Sequence, residues 1–551
     1  MFLDKLKDLN LDFSTDQKIL AEHSSDASMF KVFPAVVIFP KNKEEVQKIV
    51  NFVNKENAAN TNPNEKINIV SRASGTCMSG GPLGSSIILS FKKYMNKILE
   101  TNTDFAVCEP GVMYSALEIE TLKHGVIFPS YPASRELAAM GGIVANNASG
   151  EKALTYGSTI NWIQEVEMVL SDGSVETFSE ISEEEIKTKI SKDNFAASVY
   201  KQIYEIIKSE KDFAEIINSE IKVSKNSTGY FLSKIYNKEK NTFNIAKLIC
   251  GSQGTLGIMT KMRVRMVSPK TEKRMVVMFL KDLKDLGDII NLTLKYKPET
   301  FESYDDHTFK IAIKYLPNLF KHLSLNLIKL PFLFLPDIFK AITGGVPKLI
   351  LMAEFVEDTD TLALEKANAL LEELKKININ CRLTSSPTES QKYWSFRRES
   401  FNLLRSKIKG AKTAPFIDDI IVPVESLAVY IPALEAILDR YKLTYTIAGH
   451  VGNGNFHVIP LINMENPNVV EIIKSVLAEV VPLVKSLRGS MSAEHNDGLV
   501  RSYLLPEFYS PGMIDLFERV KNAFDKENIF NPGKKVYADE LAAWKLVNRS
   551  N

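Results

Sequence analysis

Apolar positions along the chain repeat with two periods. Short apolar runs at Ala35–Phe39, Ile67–Val70 and Ser86–Leu89 have the length and β-branched content of strands. Asn42–Lys55 and Met113–His124 repeat at helical spacing. Mixed elements of this kind, rich in glycine turns, continue to about Ser268 and predict an α+β unit. From about Pro269 to Arg501 the pattern gives a long helix at Asp360–Lys376, strands at Lys348–Phe355 and Leu443–Ile447, and a hairpin. In that hairpin, Leu443–Ala448 and Phe456–Leu461 alternate in a β-like way around the Gly/Asn loop Gly452–Asn455. An antiparallel sheet backed by helices is expected. A short helical tail starts at Tyr503 and ends in Asn531-Pro532-Gly533-Lys534. The expected division is therefore residues 1–268 (core about 30–268), 269–501 and 502–551. The charged stretch Ser179–Lys192 reads as a solvated surface insertion.

With 551 residues the chain is too long for one core, in keeping with that division. Lys and Arg (68) balance Asp and Glu (67), so no basic excess exists to neutralise phosphates, and nucleic acid is not the expected partner. The four cysteines, Cys77, Cys108, Cys250 and Cys381, lie far apart, which excludes a C-x-x-C zinc or iron–sulfur site. Few scattered cysteines, and an N-terminus without a signal-peptide apolar core, predict a cytoplasmic protein. Leu323–Ile342 is apolar but broken by Lys329, Pro331 and Pro336, too short to span a bilayer. It reads either as a buried helix and loop or as a peripheral contact with the inner face of a membrane.

The hairpin carries chemistry, since it holds two of only seven histidines. With Gly452–Asn455 as the loop, Val451 faces Phe456 and His450 faces His457, so both imidazoles share one face. Glu494, in Ser492-Ala493-Glu494-His495, completes a set of two His and a carboxylate that suits Zn, Mn or Fe. The same stretch also reads as a Gly-rich hairpin with hydrogen-bonded histidines.

Five glycine-rich loops stand in the first unit: Arg72–Gly81, Pro132–Ser134 with Gly141–Gly150, Tyr156–Ser158, Asn226–Tyr230 and Gly251–Ile258. Glycine lets backbone turn sharply or approach a ligand closely, and converging N–H groups can cradle an anion. Five such loops suggest one extended polar ligand, and a dinucleotide fits.

This order of motifs resembles the flavin oxidoreductases of the vanillyl-alcohol oxidase / p-cresol methylhydroxylase type. The resemblance is to the branch of D-lactate dehydrogenases, D-2-hydroxyglutarate dehydrogenases and the glycolate oxidase FAD subunit, from about Pro34 to Val536. It implies a two-part non-Rossmann FAD-binding domain and a substrate (cap) domain. Arg72, Ser74, Gly75, Thr76, Ser79 and Gly80 match the pyrophosphate loop. Pro132, Ser134, Gly141, Gly142, Asn146, Ser149 and Gly150 match the second FAD stretch, with Ile258 on the adenine side and Asn531 in the tail. Some relatives tether FAD through a histidine near the pyrophosphate loop. No His lies between His23 and His124, so FAD is expected without that tether, and Cys77 reads as a small buried thiol.

The resemblance also assigns His450, His457 and Glu494 as metal ligands, His495 as catalytic base and Arg397 as the group that grips the substrate carboxylate. The motif H-x-G-D-G-x-x-H here has Asn453 in the Asp position, which is expected to lower the charge around the ligands. Phe401 and Ile417 stand where relatives acting on 2-hydroxyglutarate place a Thr and a Lys, so a monocarboxylate such as D-lactate is favoured. Asn496-Asp497-Gly498 resembles members with a fused C-terminal iron–sulfur domain, which is not expected here. The expected activity is oxidation of a small D-2-hydroxy acid, with electrons passed to a quinone, a cytochrome or a separate iron–sulfur protein. Rival readings are D-2-hydroxyglutarate as substrate, an alcohol or sugar oxidase of the same fold, and a flavin subunit relaying electrons in a membrane-associated complex.

Overall fold

The computed structural model describes residues 2–60, 62, 65–314, 345–407 and 411–549. Leu323–Ile342 lies outside them. Helix Lys43–Ala59 begins where Asn42 accepts a hydrogen bond from the Glu45 N–H at 2.9 Å, an N-cap. It buries Val46, Ile49, Val50 and Val53, spaced by three and four, with Val36, Ile38, Ile69, Ile87 and Leu89 in one apolar cluster. Those strand residues belong to a four-stranded mixed sheet ordered Phe13–Ser14, Val36–Ile38, Ile87–Ser90, Ile69–Arg72.

A second sheet runs Ile98–Thr101, Phe105–Cys108, Ile258–Arg265, Ile163–Val169, Val175–Ser182, Thr242–Asn244, Tyr236–Asn237, all antiparallel. Ser179–Lys192 is not an insertion beside this sheet. Its first residues pair in register, Glu165 with Ser179, and Ile186 on the following helix Glu183–Ile190 is buried. The charges occupy the outer positions of amphipathic elements, which a charge count alone does not separate from a solvated loop. Helix Pro511–Asp525 returns to this sheet, placing Met513, Leu516, Phe517, Val520 and Phe524 in the cluster that holds Ala106, Val166 and Met262.

The third sheet is also antiparallel: Cys381–Leu383, Glu272–Leu280, Leu349–Glu357, Thr300–Asp305, Ile447–His450, Asn455–Val458, Ile420–Ile421. Leu349–Glu357 is buried along its whole length, hence its nearly unbroken apolar sequence. Helix Asp360–Lys376 lays Ala363, Ala367, Leu370 and Leu374 on the sheet.

The hairpin differs from its predicted register. Gly449 pairs with Phe456 and His450 with Asn455, so His457 stands opposite Ala448. A tight turn over Val451–Asn453, closed by the Gly454 N–H on the Val451 carbonyl at 3.0 Å, moves the loop back by one residue at each strand. Each strand residue therefore faces a partner two positions away from the expected one. A slip of two keeps every side chain on its face. His450 and His457 are diagonal neighbours, ring centroids 5.2 Å apart.

Candidate active site

Glu494 is the centre of a buried polar cluster where connections between strands of the second sheet, carrying Ser149 and Lys225, meet the histidine strands of the third. His450 Nε2 lies 3.0 Å and His457 Nε2 3.1 Å from the same oxygen, Glu494 Oε1. The far nitrogens are held by carboxylates: His450 Nδ1 stands 2.6 Å from Glu302 Oε1, and His457 Nδ1 3.1 Å from Asp418 Oδ1. His495 Nδ1 is 2.8 Å from Asp418 Oδ2, and its ring stacks on His457 at 5.1 Å and 22°. Arg397 places Nη2 2.6 Å from Glu302 Oε2. The His457 and His495 side chains remain 18% and 22% exposed while Glu302, Asp418 and Glu494 are closed off, so the imidazoles form the accessible wall.

The backbone supports this wall. Asp419, with φ +75°, turns its carboxylate under the Glu494–His495 segment. Its Oδ2 accepts from the Glu494 N–H at 2.8 Å, the His495 N–H at 2.6 Å and Ser492 Oγ at 2.7 Å. Asp419, His457, Glu494 and His495 have ligand atoms within 4.8 Å of one another. Asp419 is already saturated by those donors and serves as a brace. His450 brings the metal-type donor instead, because its Nε2 and that of His457 converge on one point. An imidazole whose second nitrogen is fixed by a carboxylate, and whose first gives up its proton when metal binds, is the usual arrangement of a metal-binding histidine, so the donor set fits a divalent ion.

Charge in the cluster is balanced internally. Burial alone would lower His457, but the Asp418 and Glu494 carboxylates outweigh it and push the imidazole up to about 10. Burial likewise opposes the upward shift of His495 caused by Asp419 and Asp418. Burial would raise Glu494, yet Lys225, His450 and His457 hold it well below the usual carboxylate range. Burial would also raise Glu302, which Arg397 and His450 hold below that range.

Asn453, in the motif's Asp position, donates to Ser224 Oγ at 3.2 Å. The expected loss of charge is met elsewhere, since Glu302 and Asp418 supply the carboxylates. Ile417 is fully buried in the apolar cluster and offers no polar group, and the Phe401 side chain lies outside the described residues. The sequence reading missed Glu302 and Lys225 and left Asp418 and Asp419 unassigned. None of the four sits in a spacing motif; each becomes visible only when strands and loops come together.

The glycine loops gather at the other side of Glu494. Ala73, Ser74, Gly75 and Thr76 are half-exposed after strand Ile69–Arg72, with Gly75 at φ +70°. A Cβ on Gly75 would stand 2.2 Å from the Arg72 guanidinium. Arg72 is buried, gives Nη2 to the Ser25 carbonyl at 2.8 Å and leaves Nη1 without a partner. A buried unpaired guanidinium N–H beside a turning glycine loop fits an anionic phosphate. Gly142 lies over this loop, where a Cβ would meet nothing nearer than Ala73 Cβ at 3.7 Å.

Other matched residues are engaged within the protein. The Gly80 N–H donates to Asp26 Oδ2 at 3.0 Å. Ser79 Oγ and Asn146 Oδ1 both accept from Gln253 Nε2, at 3.3 and 3.1 Å. Asn531 donates to the Gly81 and Gln253 carbonyls at 3.0 and 2.7 Å. The Ser134 carbonyl accepts from the Leu137 and Ala138 N–H groups. Gly141 packs on Pro110, and Gly150 packs on Tyr131 beside Pro132. Ile258 is buried with Val169. Ser149 Oγ donates to Glu494 Oε2 at 2.9 Å, tying the second glycine stretch to the histidine cluster. Cys77 is buried; burial and the Asp26 charge raise its thiol, which leaves it inert.

Two family models match the chain: FAD binding domain over residues 34–179, and FAD linked oxidases, C-terminal domain, over 269–535. The chain belongs to the FAD-linked oxidases. It is 26% identical to a D-2-hydroxyglutarate dehydrogenase of Pseudomonas putida over 96% of its own length and 50% of that protein's. The chain spans about half the length of this curated relative and of the Escherichia coli D-2-hydroxyglutarate dehydrogenase, also 26% identical, which it covers to 49%. A D-lactate dehydrogenase of Archaeoglobus fulgidus is 26% identical over 91% of each chain. Among solved structures, p-cresol methylhydroxylase shares the fold at a TM-score of 0.66 and 16% identity, over 97% of this chain and 96% of that one. Among the described residues, no helix is long and apolar enough to cross a membrane.

Proposed function

We propose that this FAD-linked oxidase converts a small D-2-hydroxy acid to the 2-oxo acid, with D-lactate the favoured substrate. The observation that carries this reading is the convergence of His450 Nε2, His457 Nε2 and Lys225 on Glu494, beside His495 and bonded to Ser149 of the FAD-loop side. FAD, where bound, would take up the Cα hydrogen together with the two electrons, and a divalent Zn, Mn or Fe ion held by His450, His457 and Glu494 would polarise the substrate hydroxyl.

The chain's residues do the rest. Arg397 presents a guanidinium suited to two parallel hydrogen bonds with a carboxylate, and Glu302 sets its direction. Asp418 beside His495 Nδ1 favours the tautomer with its proton on Nδ1, leaving Nε2 to take the hydroxyl proton. Arg72 and the Ser74–Thr76 loop would hold the pyrophosphate, and the Pro132–Gly150 stretch and Asn531 would frame FAD without a covalent bond; the electron acceptor is one other than NAD. Because Ile417 brings no charge, a second substrate carboxylate lacks the cation expected from that position.

The test is the visible spectrum of the FAD-bound protein, recorded anaerobically before and after D-lactate. Bleaching of the flavin band in wild type, with retained FAD but no bleaching in His495→Ala, is expected. Bleaching by D-2-hydroxyglutarate alone moves the substrate to the dicarboxylate. A flavin that neither acid reduces supports the electron-relay reading.

A further inference from the structure

Lys225 enters the histidine cluster from the segment just before the Asn226–Gly229 loop, on the FAD-binding side. Its side chain is 2% exposed. Its ammonium stands 3.5 Å from Glu494 Oε1 and makes no hydrogen bond. That oxygen is the one approached by His450 Nε2 at 3.0 Å and His457 Nε2 at 3.1 Å. The other oxygen of Glu494 is taken by Ser149 Oγ at 2.9 Å. A buried ammonium is costly unless a counter-charge faces it, and the carboxylate facing this one is the proposed metal ligand.

We propose that Lys225 is a built-in cation facing Glu494 and competes with a divalent ion for Glu494 Oε1, so that it lowers the site's metal affinity. The inference rests on His450, His457 and Glu494 being the metal set. Without a divalent ion, Lys225 supplies positive charge to a carboxylate buried between two imidazoles. A divalent ion bound by the two Nε2 atoms and Glu494 would share that oxygen with an ammonium in a closed, poorly screened pocket. Repulsion between them lowers affinity relative to the same ligands without the lysine.

Calorimetric titration of Zn²⁺ or Mn²⁺ into chelator-treated, FAD-bound protein tests this. Lys225→Met keeps the length of the side chain and removes its charge, and is expected to bind the metal at least about tenfold more tightly than wild type. Glu494→Gln in either background is expected to abolish that binding. Lys225→Gln provides a second neutral variant should the methionine variant lose FAD or its melting transition. Tight binding that appears only in the neutral variants also supports the proposal. Equal or weaker binding in them, with wild type still binding, overturns it and leaves the metal set standing. No Glu494-dependent binding in any of the proteins overturns the metal set and the proposal together.

Discussion

At the scale of single residues, the half-buried Asp26 shows how a carboxyl beside the Gly80 turn responds to its surroundings, accepting from the Ser28 N–H at 2.9 Å and the Gly80 N–H at 3.0 Å. Burial pushes it up to about 6 from 3.8, against the pull of Ser28, Arg72 and Gly80. Its folded value is raised, so the contribution is fully present below pH 3.8 and is lost as pH rises through about 6. The difference in thermal midpoint between Asp26→Asn and wild type should therefore shift in the variant's favour from about pH 4 to about pH 7. A difference that stays flat with pH would show that Asp26 is not protonated in the fold. Glu494 and Asp418 run the opposite way: their carboxyls are depressed, so the stability they give is lost as pH falls.

At the scale of elements, the hairpin depends on Gly454. Its φ is +75°, and a Cβ there would stand 2.0 Å from the Val422 carbonyl oxygen. Alanine must bend the turn or displace the Ile420–Ile421 edge strand, a strain of roughly 1–3 kcal/mol. Gly454→Ala should lower the thermal midpoint and, by moving His457, reduce bound metal as read by elemental analysis. Normal metal content at a lowered midpoint would separate the turn's structural role from its positioning role. The Gly/Asn loop was legible in the sequence because few residues adopt such turns. Its register was not, because the tight turn over Val451–Asn453 adjusts pairing without changing which face each side chain occupies.

At the scale of the whole molecule, the two sides of the site are joined by Asp497 and Lys535. Both side chains are fully buried, 2.8 Å apart. Lys535 also donates to the Gly229 carbonyl at 2.8 Å, and Asp497 accepts from the Gly229 N–H at 2.9 Å. One pair thus links the histidine segment, the Asn226–Gly229 loop and the tail. Lys535→Met leaves Asp497 buried without its cation and should cost about 3–5 kcal/mol. Adding Asp497→Asn should recover part of that loss, and the coupling can be read from the unfolding midpoints of the two single variants and the double. Strict additivity would mean that the pair does not act as a unit.

The α+β class, the long helix at Asp360–Lys376, the strand at Leu349–Glu357 and the identity of the histidine pair were legible in the residue pattern, because these follow from local periodicity and from rare residues in tight spacing. The strand expected at Leu443–Ile447 instead forms at Ile447–His450, next to the turn. Sequence motifs also singled out the glycine loops, since a turn or close approach needs glycine whatever surrounds it. Which charges meet is set by the fold, not by any local pattern. Glu302 comes from a strand, Asp418 from a loop and Lys225 from a separate loop, and they reach His450, His457 and Glu494 across separations that range from 39 residues (Asp418–His457) to 148 (Glu302–His450) and beyond (Lys225–Glu494). Side chains so distant along the chain have no common period to betray them, and burial makes their mutual charge decisive once folding brings them together.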